Sequence, residues 1–307
     1  MPPTFLDRDI ISINELNKTD ILHILKHAQE LKKKNQPKLL QNKIMASCFF
    51  EPSTRTRLSF ETAMERLGGQ VMGFADAKVS SAKKGETTWD AMKIIGQYAD
   101  VIAMRHPLEG SARRAAESTD KPVLNGGDGT NQHPTQTLLD LFTIKECQKK
   151  LTGLNVALVG DLKYGRTTHS LAQALAKFGA RLYFVAPDML QMPDYICNEL
   201  KKQKVKFSFH NKIENIIDKV DILYMTRIQA ERFADPMDYE RVKNVFVLTT
   251  NMLDKVKPNM RIMHPLPRVN EIDINVDNTK HAYYFEQAEN GLYTRQALLG
   301  LVLGKLK

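Results

Sequence analysis

The sequence predicts an α/β chain of two doubly wound parallel-sheet domains joined by interdomain helices. Three observations carry this. Short apolar runs alternate with helix-period segments along nearly the whole chain. The length, 307 residues, suits two ordinary domains. Polar clusters recur just past the carboxyl ends of the apolar runs, after Phe50, at Arg105, after Val159, at Arg227 and after Met263, where open parallel sheets bind ligands.

In chain order, a helix is expected from about Asn14 to Lys33, then a strand over Ile44 to Phe50. A second helix runs from about Thr54 to Leu67, with Phe60, Ala63, Met64 and Leu67 forming one apolar stripe and Gly68-Gly69 as its stop. A polar, basic loop (Ala77 to Glu86), a helix over Thr87 to Ala99 and a short strand Val101 to Met104, ending at Arg105, follow. Gly126-Gly127-Asp128-Gly129 reads as a loop. A helix opening near His133-Pro134, with proline in its first turn, runs to about Lys149 and joins the halves. The second half alternates strand Asn155 to Val159, helix Thr167 to Phe178, strand Arg181 to Val185, helix Pro193 to Lys202 and strand Lys206 to Phe209. Strands Ile222 to Met225, Val245 to Leu248 and Arg261 to Met263 complete it, before a last apolar helix over Tyr293 to Leu306.

At 42% hydrophobic and 26% charged residues the composition is that of a globular protein, without disordered or fibrous bias. The formal charge of +9 is compatible with nucleic acid or with a site for small anions. Runs such as Lys32-Lys33-Lys34 end helical segments, where the macrodipole favours cations, and read as solvated. Three cysteines far apart in sequence, Cys48, Cys147 and Cys197, exclude a C-x-x-C site and point to a reducing compartment. No signal pattern and no run of roughly 18 apolar residues stands in the sequence, so a cytoplasmic protein without membrane contact is expected.

Ser53, Thr54, Arg55, Thr56 and Arg57 put two permanent cations and three hydroxyls at a helix start, more donors than a cap needs and well suited to a phosphate. The bland alternative is a helix cap with surface arginines. Gly160-Asp161-Leu162-Lys163-Tyr164-Gly165-Arg166-Thr167 departs from a nucleotide-binding P-loop by Arg in place of Lys, and lacks G-x-G-x-x-G. His23 and His27 have metal-ligand spacing but no third ligand, and read as surface residues. No metal and no cofactor is called for.

The run Phe50-Glu51-Pro52-Ser53-Thr54-Arg55-Thr56-Arg57, with Met104-Arg105-His106, His133-Pro134-Thr135-Gln136 and His264-Pro265-Leu266-Pro267-Arg268, resembles the aspartate and ornithine carbamoyltransferases in order and spacing over nearly the whole chain. The resemblance implies a carbamoyl phosphate-binding domain over residues 1–134, onto which a C-terminal helix (290–307) packs back, and an aspartate-binding domain over 150–285. By position it implies that Ser53, Thr54, Arg55 and Thr56 hold the phosphate, with Arg55 also on the leaving group. Arg105, Thr56 and His133 would aim at the carbonyl oxygen, and Gln136 would accept from the carbamoyl amide. Ser80 and Lys84 would be offered to a neighbouring subunit, so the resemblance implies a homotrimer with shared sites. Members of this family occur as bare trimers, with separate regulatory chains, or joined to other pathway enzymes. Arg166, Arg227, Gln229 and the carbonyls of Leu266 and Pro267 would take the second substrate. The chain has Pro-Leu-Pro after His264 and no Ser-Met-Gly run, which matches the aspartate branch, with carbamoyl transfer to L-aspartate as the implied reaction. Transfer to ornithine or another amine, and a non-catalytic phosphate- or nucleic-acid-binding protein, are the alternatives.

Overall fold

A computed structural model describes residues 3–79, 81–229, 233, 235–243 and 245–307. The chain divides into two compact units, one of residues up to Phe142 together with Glu289–Lys307, the other Thr143–Ala288. Each is built on a wholly parallel sheet.

In the first unit the strands are β1 (Ile44–Phe49), β2 (Gln70–Phe74), β3 (Val101–His106) and β4 (Val123–Asp128), in the order β2-β1-β3-β4. Helix α1 spans Lys18–Lys33. It starts four residues later than the sequence predicts because Asn17 and Asp20 form a reciprocal capping box there. Helix α2 (Thr54–Arg66) buries the predicted stripe completely, Phe60, Ala63, Met64 and Leu67 each at 0% exposure. At about 1.5–3 kcal/mol per fully buried large side chain, that stripe fixes the helix against the sheet. The chain then turns at Gly68, where φ is +84° and a Cβ would stand 2.2 Å from the Pro37 carbonyl, so no other residue fits.

Three elements of this unit escape the sequence reading. Strand β2 is a half-exposed edge without a clear alternation, and α4 (Ser111–Ser118) follows α3 (Thr88–Ile95) as a short polar helix. Strand β4 includes Gly126 and Gly127, where a loop was expected, with a register shift against β3 between Met104 and His106. Glycine is there because β4 must approach β3 closely: a Cβ on Gly126 would lie 3.0 Å from the Met104 carbonyl oxygen.

The second unit orders β5 (Asn155–Val159), β6 (Arg181–Val185), β7 (Phe207–His210), β8 (Ile222–Met225) and β9 (Arg261–Met263) as β7-β6-β5-β8-β9. Its helices α6 (Arg166–Ala176), α7 (Asp194–Lys202) and α8 (Pro236–Val242) accompany the sheet. Residues Val245 to Leu248 are not the strand predicted. Phe246 and Leu248 are buried and Val245 and Val247 exposed, an alternation like a strand's, but among the described residues the segment pairs with its neighbour only at the Leu248–Ile272 bridge.

The unit boundaries fall inside two helices, α5 (Pro134–Gln148) and α9 (Tyr284–Val302). Helix α9 begins nine residues before its predicted start and ends before Leu303. Its early turns carry buried polar residues, Gln287 and Asn290, which hide its apolar face from sequence periodicity. Gln287 accepts the His264 N–H at 2.8 Å and Asn290 accepts from Lys32 at 2.8 Å, so neither amide is idle and Lys32 is not merely a solvated helix end. His27 corrects another expectation. It is buried, with Nε2 3.0 Å from the Lys307 carbonyl oxygen, rather than a surface residue. Among the described residues no helix is long and apolar enough to cross a membrane.

Candidate active site

The first cluster stands at the carboxyl ends of β1, β3 and β4. Ser53 occupies the N-cap of α2 in extended conformation, yet its side chain makes no capping hydrogen bond. The hydroxyl is thereby not consumed by the helix, unlike that of an ordinary serine cap. Thr54 and Arg55 are exposed and Thr56 is buried against β4, its methyl 3.4 Å from where a Gly126 Cβ would be. Partial desolvation, and next the like charge of Arg105, lower the Arg55 pKa from its ordinary value, which brings the two guanidiniums into one neighbourhood. The second cation of the sequence cluster behaves otherwise. Arg57 reaches Glu61 one turn on, at 3.2 Å and 3.3 Å, and Glu61 also accepts from Ser47. Arg57 is a helix-face ion pair.

Arg105 is fixed by the sheet itself. Its backbone carbonyl accepts the Phe50 N–H at 2.9 Å, and its side chain, 14% exposed, donates to Glu51 through Nε and Nη2 at 3.2 Å and 2.7 Å and to the Gly126 carbonyl at 3.3 Å. His133 is buried at the entry to α5, its carbonyl taking the N–H groups of Gln136 and Thr137. What seats that entry is Asp128 at the end of β4. This buried carboxylate accepts from Asn125, Gly110, Asn131 and the Gln132 N–H, all within 2.9–3.1 Å. Gln136, one turn into the helix, gives its amide nitrogen to Asp140 at 2.9 Å, which leaves its carbonyl oxygen on the opposite side. Lys84 is exposed at the end of a 3-10 turn (Ser81–Lys84), and among the described residues it has no hydrogen bond or ion pair with this cluster. Ser80 lies outside the described residues.

The second cluster stands at the carboxyl ends of β5, β8 and β9. At Gly160, φ is +115° and a Cβ would meet the Thr226 carbonyl oxygen at 2.2 Å, so β5 and β8 leave the sheet in close contact. Thr226 ties them further, donating N–H and hydroxyl to Val159 at 2.8 Å each. Asp161, wholly buried, accepts the Tyr164 N–H at 3.0 Å and hydrogen bonds from Gln229. Burial raises its pKa, against those hydrogen bonds, and the carboxyl links the 161–166 turn to the segment after β8. Arg166 thus opens α6 while Arg227 and Gln229 follow β8, all half-buried. Arg227 lines a pocket with Tyr239, Lys243 and Asn270.

The Pro-Leu-Pro turn is held from beneath. His264 Nδ1 accepts the Leu266 N–H at 2.8 Å, so Nε2 carries the proton and donates it to Glu271 at 2.7 Å. Burial keeps this histidine below its ordinary pKa. Leu266 sits at φ +56°, a left-handed value that a leucine adopts only when its surroundings impose it. Arg268, the last residue of that motif, is spent on Asp277 and on Tyr284 Oη at 3.1 Å. Sequence reasoning missed Glu51, Asp128, Asp140, Asp161 and Glu271. Each is a carboxylate whose partner is defined by the fold, and only the i, i+4 spacing of Gln136 and Asp140 left a local trace.

Among the described residues no group of three or more His, Cys, Asp or Glu side chains could hold a metal. The arrangement is electrostatic, hydroxyls and guanidiniums at one set of strand ends, guanidiniums and a carbonyl-bearing turn at the other. Two models of one family match the chain in succession. Residues 8–146 match the model of the aspartate/ornithine carbamoyltransferase carbamoyl-P binding domain, and residues 152–302 that of the Asp/Orn binding domain. An aspartate carbamoyltransferase catalytic subunit of Chromobacterium violaceum is 56% identical over 298 residues, covering 97% of this chain and 98% of its own. The catalytic subunit of M. jannaschii aspartate transcarbamoylase superposes with a TM-score of 0.90 at 47% identity, over 97% of this chain and 98% of that one. The Trypanosoma cruzi aspartate transcarbamoylase, in complex with carbamoyl phosphate and aspartate, does so with a TM-score of 0.93 at 36% identity, over 99% and 100%. With both halves matched by one family's two domain models and its relatives aligned end to end, this chain belongs to the aspartate/ornithine carbamoyltransferase family.

Proposed function

We propose that this chain transfers the carbamoyl group of carbamoyl phosphate to the α-amine of L-aspartate, giving N-carbamoyl-L-aspartate and phosphate, an early step of de novo pyrimidine synthesis. The observation that carries the reading is the pair of unlike anion sites at strand ends of two parallel sheets, in a chain of this family. Ser53, Thr54, Arg55 and Thr56 bind the phosphate, with Arg55 stabilising it as it leaves. Arg105, Thr56 and His133 donate to the carbonyl oxygen, and Gln136 accepts from the carbamoyl amide. Arg166, Arg227 and Gln229 bind the aspartate carboxylates, and the carbonyls of Leu266 and Pro267 receive the amine.

The residues present suit a reaction without a covalent enzyme intermediate. Neutral amine attacks the carbamoyl carbon, negative charge grows on the carbonyl oxygen, and the C–O bond to phosphate breaks as phosphate departs. Fixed cations lower the barrier because they face charge that develops only in the transition state. The departing phosphate is basic enough to take the amine's proton, so no side-chain base is needed. Arg105 matters most here. An arginine stays charged throughout, and Arg105 is already held by Glu51 and Gly126 before any ligand arrives.

We further propose a cytoplasmic homotrimer in which Ser80 and Lys84 complete a neighbour's site, with regulatory chains as additional partners in some settings. The exposure of Lys84 is compatible with that role. The test of the reaction is phosphate release from carbamoyl phosphate with L-aspartate or L-ornithine as acceptor. Turnover with aspartate alone supports the reading; preference for ornithine, or turnover with neither, overturns it. Sedimentation analysis tests the trimer.

A further inference from the structure

Behind the first cluster lies a charged pair that the reaction above does not use. Arg295, on α9, is 3% exposed, and its guanidinium lies over the Phe60 ring, 4.9 Å from the centroid. Its Nη2 donates to Thr135 Oγ1 at 3.4 Å, while Nε has no hydrogen-bond partner. Burial pulls its pKa down to about 10, and the charge opposing that shift is Asp140, itself at 0% exposure. Arg295 is therefore cationic near neutral pH, and Asp140 is the opposite charge that favours that state. Buried opposite charges add little stability over apolar residues of the same volume. What apolar residues cannot do is hold an amide one way round.

The remaining contacts of the pair lead to the ligand-facing residues. Asp140 Oδ1 accepts from Gln136 Nε2 at 2.9 Å. A carboxylate only accepts, so the amide nitrogen must face it and the amide oxygen must face away. On the other side, Thr135 Oγ1 lies 3.5 Å from His133 Nδ1. With the hydroxyl accepting from Arg295, its own proton is available to that nitrogen, and in that arrangement Nδ1 accepts and the ring proton stands on Nε2. We propose that Asp140 and Arg295 are positioning residues for the carbamoyl group. Asp140 presents the oxygen of Gln136 to the carbamoyl amide, and Arg295, through Thr135, presents Nε2–H of His133 to the carbonyl oxygen. The proposal rests on the function given above, and it separates carbamoyl selection from phosphate binding, because the hydrogen bonds of Asp140 and Arg295 lead to Gln136 and Thr135 and not to the Ser53–Thr56 helix start.

The experiment compares three probes on the full chain, namely inorganic phosphate, carbamoyl phosphate and acetyl phosphate, whose methyl group replaces the amide nitrogen. Asp140→Asn removes the constraint on the amide. The double variant Asp140→Leu with Arg295→Met leaves no uncompensated buried charge and carries the test if the single variant does not fold. Phosphate affinity is expected to stay within about twofold, carbamoyl phosphate affinity to fall about tenfold, and the preference for carbamoyl over acetyl phosphate to shrink by the same factor. A preference that survives in the folded double variant overturns the proposal. So does a parallel loss of phosphate binding, which is the signature of a merely structural pair. If the parent chain itself binds no carbamoyl phosphate, the failure belongs to the function and not to the pair.

Discussion

Replacing Arg105 by alanine separates catalysis from folding, and the structure supplies the size of each effect. On the folding side, the variant strips Glu51 and the Gly126 carbonyl of their donors. Glu51 is 32% exposed, so water can solvate the abandoned carboxylate, and the cost is about 1–2 kcal/mol, compatible with a folded protein. On the catalytic side, the role proposed for Arg105 makes the lost guanidinium a preorganised donor at the carbonyl oxygen. Removing one such donor costs roughly 2.7–4 kcal/mol, about 10²–10³ in kcat. Arg105→Lys keeps the charge but not the fork that engages Glu51 and Gly126 together, and falls between parent and alanine. Initial rates of phosphate release under saturating substrates, with thermal melts of the same samples, read both quantities. A folded Arg105→Ala protein turning over within about tenfold of the parent would refute the assignment.

The other predictions use the same assays. Arg57→Ala removes a helix-face pair with Glu61, so it costs about 0.3–0.5 kcal/mol in stability and leaves turnover near the parent's, whereas Arg55→Ala loses carbamoyl phosphate binding. Gly160→Ala drives a Cβ into the Thr226 carbonyl at a left-handed φ and should lower the melting temperature by several degrees or prevent folding; a normal melt speaks against the close approach of β5 and β8. A bisubstrate phosphonacetyl-aspartate at a hundred times its Kd should stabilise the chain by about 2.7 kcal/mol, and Arg227→Ala should abolish most of that shift. Burial depresses His106, His169 and His264, so the unfolded chain binds more protons than the folded one below about pH 6.5. Stability present above that pH is lost as pH falls through the folded-state values. The carboxyls of half-buried Asp9 and buried Asp161, raised, act with opposite sign in a window opening at the ordinary aspartate value. Melts from pH 7.5 to 5 should fall, and less steeply in His264→Gln; a flat profile refutes this.

The architecture was legible because its signals are local. Four of the five strands of the second unit are apolar runs whose residues match or nearly match their prediction, β5, β6, β8 and β9 at both ends. The misses share a cause. Gly126 reads as a chain breaker in isolation, and only the Met104 carbonyl above it makes glycine the strand's own requirement. Gln287 and Asn290 look like the end of an apolar helix until His264 and Lys32 supply their partners. The residues of the candidate site were legible as types and spacings. Their allocation was legible only in part: the i, i+4 spacing favours Arg57 over Arg55 as the partner of Glu61, while nothing local marks the pairing of Arg105 with Glu51.

That allocation follows a pattern that bears on the mechanism. Groups assigned to ligands are set against carboxylates that no local pattern singles out: the guanidinium of Arg105 on Glu51, and the amide of Gln136 on the buried Asp140. A site that concentrates positive charge for two anionic substrates must keep those cations apart and oriented while it is empty, or the guanidiniums would repel and turn toward water. Carboxylates do this at the least distance, and they also set the terms for binding. Where the carboxylate is partly exposed and paired to a proposed ligand-binding cation, as Glu51 is to Arg105, an arriving anion is expected to compete with it. Where it is sealed behind the site, as Asp140 is, it orients without competing. Exposure therefore sorts the acidic residues around this site into those that yield to substrate and those that hold the residues meeting it, and the two kinds should separate in binding experiments, the first altering affinity for every anion and the second only for the carbamoyl group.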